Sequence, residues 1–493
     1  MIDKFTLHIK ELKRLSGFLS LHLLLASVVL ILFISSAEAQ SSLPELNRQI
    51  DSLVNQSGVL ESSSAGVYIR EIRSGQVIYQ KNGDKPLTPS SNMKVMTSAA
   101  AFKLLGPDYR YKTYIYGGPL DISRGVMESS LYLVGSGDPT FTEPFTENPT
   151  EVLEQFAKRL HKIGLRKVKG DLIGDDSVFD RDFVGKGWKS RYILEDYAAE
   201  CGGLSLNANL LRITIEPQRV TLYPPSPAIK VVNNAQQSGY TEIQFKRESN
   251  TGKIVISGTF GGATQTGLIT VHNPPLFTLS AFSQILANRG IHVMGRAKLI
   301  EQQPYRYSYK SFLPYCSHES PKLYGVLKYL NKESDNFLAN QVFRTLGAVC
   351  RGKGSLKNSE SVIKEFMEKA GIDTTGFQMA DGSGLSCLNK VTPRQLAETL
   401  VYMYSQPDAK KYIATLPQAG VDGTLKYRLS GQKVFAKTGT INENSSLSGY
   451  VTTAFGQTLV FSIITNNHKY GQGAYKGFED QIVHTLSRWD REI

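Results

Sequence analysis

From about residue 108 to residue 302 the chain is written in short β-patterned stretches, and the regions on either side of this middle part are not. YRYKTYIY, SLYLV, LLRITIEP, AIKVVN, TEIQF, KIVISG and GLITV are rich in β-branched and aromatic residues, the signature of half-buried strands. Helical spacing interrupts them only near 151–164 and 276–289. Before this region come an amphipathic segment at 43–56, a hairpin pattern over 65–71 and 76–80 around Ser74-Gly75, and a helix from about Ser91 to Leu105 closed by Gly106-Pro107. After it, helical patterns cover 321–331, 335–347, 358–370 and 393–405, followed by strand patterns at 446–454 and 457–465 and a last helix at 474–490. This order predicts one α/β unit built from both ends of the chain, residues 40–107 and 303–493, with 108–302 as a β-rich insertion. At 493 residues the chain is too long for a single core.

The first 39 residues read as a leader. Lys4, Lys10, Lys13 and Arg14 form a basic start, Leu23 to Ile34 is apolar apart from Ser27, and Ala37-Glu38-Ala39 is a small-x-small cleavage site before Gln40. An apolar run of about a dozen residues is short for a bilayer span, so a cleaved signal peptide is the expectation and an uncleaved signal anchor the alternative. The destination is then the periplasm or the outer face of the cytoplasmic membrane, with peripheral membrane association included. Hydrophobic residues at 41% and charged residues at 20% exclude disordered and fibrous classes. The net charge of +12 favours an anionic partner. In an exported chain that partner is an envelope polymer, and nucleic acid is not expected. Cys201, Cys316, Cys350 and Cys387 all lie in the exported part, where either buried thiols or a bridge are compatible with the sequence.

Several chemistries lack their motifs. The histidines outside the leader, at 161, 272, 292, 318, 468 and 484, show no i, i+2 or i, i+4 pair, so no metal is expected, and no cofactor. There is no G-x-S-x-G elbow and no phosphate-binding G-x-x-x-x-G-K. Ser91-Asn92-Met93-Lys94 does open a helix. Residues three apart share a helix face, the first turn favours a developing alkoxide, and a desolvated lysine serves as a neutral base. Ser361–Lys364 and Ser430–Lys433 repeat that spacing, the first in a charged amphipathic helix and the second too late in the chain. Ser334-Asp335-Asn336 occurs once, at a helix junction, and Lys437-Thr438-Gly439-Thr440 once, in a β-like segment; the looser Ser205-Leu206-Asn207 has no helix after it. Each match alone has an ordinary structural reading as a cap, a turn or a solvated lysine. The ordered set does not.

With these three motifs the chain resembles the penicillin-recognising serine enzymes. It is most similar to the DacB-type D-alanyl-D-alanine carboxypeptidase/endopeptidases, the class C low-molecular-mass penicillin-binding proteins. LYLVGSGDPTF (131–141), GDLIGDDSVFD (170–180), GGLSLNANL (202–210), DGSGLS (381–386), AGVDGTLKYR (419–428) and LSGYVTT (447–453) look like the same branch, with Cys387 as a departure. The resemblance implies a serine β-lactamase/DD-peptidase-like transpeptidase fold of α/β (α+β) class carrying a large insertion. It also implies a mechanism. Ser91 attacks the carbonyl, Lys94 takes its proton, Ser334 relays a proton to the leaving amine, and Asn336 holds Lys94 and the substrate amide. Lys437 supplies positive potential, Thr438 and Thr440 bind the terminal carboxylate, and Gly439 belongs to the same substrate-binding motif, with the N–H groups of Ser91 and Thr440 as oxyanion donors. The implied substrates are peptidoglycan peptides ending in D-Ala-D-Ala, with β-lactams as covalent inhibitors. A serine β-lactamase or esterase on the same core, or an idle wall-binding protein, are the alternatives.

Overall fold

The structure, a computed structural model, describes residues 43–55, 64–192, 194–217, 219–248, 251–300 and 313–493. The leader expected over 1–39 lies outside the described residues. A five-stranded antiparallel sheet joins the two ends of the chain in the order Val434–Ile441, Asn444–Thr452, Thr458–Asn466, Ser64–Glu71, Val77–Lys81. The N-terminal hairpin therefore adds to strands nearly four hundred residues later, with Val67 opposite Ile463.

The three inner strands are buried on both faces, and their two-residue period sorts side chains between two cores. Val67, Ile69, Val451, Phe461 and Ile463 pack under the helix at 43–55 and the helix Gln472–Arg488. Tyr68, Tyr450, Val460 and Ile464 join the opposite core, built by Met93–Leu104, Leu323–Lys332, Asn336–Arg351, Leu356–Lys369 and Pro393–Tyr404. Met93–Leu104 is enclosed from Met93 to Phe102, as a helix without a polar face must be.

The middle of the chain forms its own core around Leu131, Leu133, Leu153, Phe156, Phe277 and Phe282. Four small sheets and the helices Glu151–Lys162 and Pro274–Asn288 surround it. Glu151–Lys162 buries Val152, Leu153, Phe156, Ala157 and Leu160 on one face, with Glu151 and Glu154 in its first turn and Arg159, His161 and Lys162 in its last, matching the helix dipole. One sheet ignores the expected boundary at 303. Cys316–Glu319 pairs with Lys112–Gly117, closing the edge of the sheet that contains Leu131–Val134 and Leu172–Asp175. An unpaired edge would leave a row of backbone donors and acceptors open, so the insert's sheet takes its last strand from beyond that point.

The insert is docked on the helical core. Arg344, buried in Asn336–Arg351, donates to Asp180 at 2.5 Å and to the Asp182 carbonyl, and Gln341 reaches the Gly202 carbonyl at 3.1 Å and Ser205 Oγ at 2.9 Å. All four cysteines are free thiols; burial pushes Cys201 up to about 12 and Cys316 up to about 11. No helix among the described residues is long and apolar enough to cross a membrane.

Candidate active site

A 3-10 turn, Ser90–Asn92, leads straight into the buried helix Met93–Leu104 and puts Ser91 one turn from Lys94. The turn is tied to the sheet: Asn92 Nδ2 donates to Ser446 Oγ at 2.7 Å, and Ser446 Oγ donates to the Pro89 carbonyl at 2.6 Å. Lys94 is completely buried. Its Nζ stands 3.0 Å from Ser91 Oγ, 2.6 Å from Asn336 Oδ1 and 2.7 Å from the Ser383 carbonyl. Burial pulls its pKa down to about 7, against the opposing pull of Asp381 and Asp335. An amine at that midpoint is half neutral near pH 7 and beside a hydroxyl, the arrangement general-base activation of a serine requires.

The second group of residues meets it from the helix junction. Ser334 holds φ 61°, in the left-handed region. Asp335 is the N-cap of Asn336–Arg351, accepting from Leu338 N at 2.7 Å, so the helix begins where Asn336 faces Lys94. Lys437, on the edge strand Val434–Ile441, is also fully buried, and its Nζ donates to Ser334 Oγ and to the Thr438 carbonyl, each at 2.8 Å. Burial, and then the neighbouring Lys94, push its pKa well below the lysine range. Two ammonium groups in one dry cleft repel each other. An arriving anion relieves that repulsion, so the site is built to receive negative charge.

A cleft of about 390 Å³ opens over these groups, lined by Ser91, Ser334, Asn336 and Thr440 together with Tyr192, Tyr197, Gly384, Leu385, Ile441 and Asn442. The structure thus brings Ser91, Lys94 and Asn336 into one hydrogen-bonded network and Ser334 and Lys437 into another at the same cleft, with Thr440 at its rim. Thr438 and Gly439 do not line the cleft: the Thr438 hydroxyl donates to Thr424 Oγ1 at 2.7 Å, and Gly439 is buried against Ser446 and Pro89. Ser361 and Ser430, which share the S-x-x-K spacing, are exposed elsewhere. Among the described residues, no group of His, Cys, Asp and Glu is arranged to hold a metal ion.

Sequence reading missed two contributors. The DGSGLS loop supplies the Ser383 carbonyl to Lys94 and the Gly382 carbonyl to Thr97 Oγ1 at 2.7 Å. The sequence marks it only as a family-like segment, because no rule of spacing makes a carbonyl a ligand. Tyr192, Tyr197 and their neighbours come from the insert and carry no motif.

A serine beside a buried lysine, a second Ser–Lys pair across the cleft, and a five-stranded antiparallel sheet backed by helices define a serine peptidase of the penicillin-binding fold. The chain belongs to the D-Ala-D-Ala carboxypeptidase 3 (S13) family, matched over residues 46–489. It is 31% identical over 453 residues to a D-alanyl-D-alanine carboxypeptidase of Actinomadura sp., covering 86% of this chain and 82% of that one. The crystal structure of penicillin binding protein 4 (dacB) from Haemophilus influenzae superposes with TM-score 0.76 at 25% identity, over 89% of this chain and 99% of the other. The same H. influenzae protein complexed with a β-lactam superposes with TM-score 0.71 at 24% identity, over 89% and 99% of the two chains.

Proposed function

We propose that this protein is an exported serine-type D-Ala-D-Ala carboxypeptidase that works through an acyl-enzyme on Ser91 and is acylated there by β-lactams. The observation that carries the reading is the fully buried Lys94, 3.0 Å from Ser91 Oγ and midway to neutrality at pH 7. In the proposed sequence Lys94 takes the Ser91 proton as Oγ attacks the penultimate D-alanyl carbonyl. Charge passes to the carbonyl oxygen, which the N–H groups of Ser91 and Thr440 stabilise. Collapse expels D-alanine, whose amine receives its proton through Ser334, and Lys94 then activates the water that frees Ser91. Lys437 supplies the positive potential for the terminal carboxylate. Thr440, on the rim of the cleft, is better placed than Thr438 to hydrogen-bond it.

In this reading residues 40–107 and the chain after about 303 are the peptidase and 108–302 an insertion, except that Cys316–Glu319 crosses that bound to complete the insert's sheet. The leader sends the chain to the periplasm or the outer face of the cytoplasmic membrane, where peripheral membrane association brings it to the wall. Incubation with a disaccharide-pentapeptide and a crosslinked dimer, followed by mass spectrometry, tests the reading. Loss of one terminal alanine marks carboxypeptidase action and conversion of dimer to monomers marks endopeptidase action; neither product means the reading is wrong. Peptide mapping after a fluorescent penicillin should place the label on Ser91, and label on Ser361 or Ser430 would overturn the nucleophile.

A further inference from the structure

Lys94 donates to two fixed oxygens besides Ser91, and a segment of the β-rich insert reaches the residues that hold both. The first oxygen is the Ser383 carbonyl. Its loop is organised by the buried Asp381 carboxylate, whose Oδ1 accepts from Ser383 N at 3.1 Å, Gly384 N at 2.7 Å and Asn389 Nδ2 at 3.0 Å. Oδ2 accepts from Ser386 N at 2.7 Å and from Trp188 Nε1, also at 2.7 Å. Trp188 is the member of this set that comes from the insert. The second oxygen is Asn336 Oδ1. The other end of that amide, Nδ2, donates to the Tyr197 carbonyl at 2.8 Å. A backbone carbonyl can only accept, so it selects the amide orientation that turns Oδ1, and not the NH₂ group, toward Lys94. The segment is also held down just before Trp188 by Ser386 Oγ donating to the Lys186 carbonyl at 2.6 Å, and between Trp188 and Tyr197 by Arg191 Nη2 donating to Asn442 Oδ1 at 2.9 Å.

We propose that the described stretches Gly185–Tyr192 and Leu194–Ala198 form a clamp on the catalytic lysine, and that Trp188 is its positioning residue, acting on Lys94 through Asp381 and Ser383. This rests on the reading of Lys94 as the base. It gives the insert a direct part in the chemistry: removing its grip loosens both acceptors that orient Lys94 toward Ser91. Three charged groups face Lys94, namely Asp381 from the loop, Asp335 from the helix cap and Lys437 from the edge strand. Taking away the Trp188 donor leaves the Asp381 charge less neutralised and admits water, and both changes favour protonated Lys94.

The test is Trp188→Phe, which keeps an aromatic ring and deletes the N–H. Release of D-alanine from a pentapeptide is followed against pH, the active fraction is titrated by covalent labelling of Ser91, and the Lys94 ammonium is titrated by NMR with labelled lysine. We expect kcat per titrated site to fall about tenfold with KM changed less than about twofold, because orientation of the base and not substrate binding is lost. The acidic limb of the rate and the Lys94 midpoint should both move to higher pH. An unmoved Lys94 midpoint, or an activity loss matched one for one by loss of titratable Ser91, would overturn the clamp and leave Trp188 a merely structural residue. Should the wild type release no D-alanine, the proposed function fails, and the Lys94 midpoint alone decides the clamp: a shift in Trp188→Phe supports it and no shift refutes it.

Discussion

Gly384→Ala isolates how tightly the DGSGLS loop is set against the nucleophile. Gly384 has φ +89°, and a Cβ built there would lie 1.8 Å from the Ser90 carbonyl oxygen and 3.0 Å from Ser91 N, where real Cβ contacts essentially never fall under 3.0 Å. The left-handed backbone alone costs a non-glycine residue about 1–2 kcal/mol. The clash is with backbone, so either the Ser90–Asn92 turn or the loop carrying the Ser383 carbonyl must move by more than an ångström. We expect a total stability loss of about 2–4 kcal/mol. A displacement of that size at the reacting atoms should slow acylation about a hundredfold. Gly371→Ala is the control. It has φ +74° with nothing within 4 Å of the added Cβ, so it bears the backbone cost, about 1 kcal/mol, without the clash. Urea unfolding measures the stabilities, and the rate of fluorescent penicillin labelling measures acylation. If Gly384→Ala matched Gly371→Ala in both, the close approach of loop and nucleophile would not be what shapes the site.

Three further outcomes are expected. Burial holds the Lys94 pKa at about 7 in the folded chain against the ordinary lysine value of 10.5, so between those values the unfolded chain binds more protons and wild-type stability rises with pH. Relative to Lys94→Met, the wild type should therefore gain about 2–4 kcal/mol from pH 7 to pH 10 in urea titrations; a flat difference would refute the buried-amine account. Asp180→Asn leaves the Arg344 guanidinium, 2% exposed, without its charged partner, and unfolding should show a loss of about 3 kcal/mol, with an unchanged midpoint refuting the docking role. A chromogenic cephalosporin should give a near-stoichiometric burst and little turnover, since among the described residues no glutamate lines the cleft to deacylate the tethered adduct as in class A β-lactamases. Sustained cephalosporin turnover at the pace of peptide hydrolysis would favour the β-lactamase alternative.

Much of the architecture was legible because it is local. The hairpin, the enclosed helix after Ser91 and the helices after residue 320 follow from periodicity and end signals, which act within a few residues. The Ser91–Lys94 pair and the Ser–Asp–Asn and Lys–Thr–Gly–Thr sets stood out in the sequence as candidates because the chemistry proposed for them requires particular side chains at particular spacings. The boundary of the insert was not. Cys316–Glu319 joins the insert's sheet because an edge had to be closed, a demand that exists only once the sheet has formed.

What the sequence alone determined is which groups are present and which element each one opens or caps: Ser91 ahead of a buried helix, Asp335 at an N-cap, Lys437 in a strand. Only the tertiary structure decided that Ser383 offers its carbonyl to Lys94, that Tyr197 orients Asn336, and that Trp188 steadies Asp381. Two of these partners are backbone carbonyls, which every residue carries alike, and all three lie more than a hundred residues from the groups they hold. The acidity of Lys94 belongs to the same category: a lysine in sequence is a solvated cation, and the enclosure that removes its water arises only when both ends of the chain and the insert close around it.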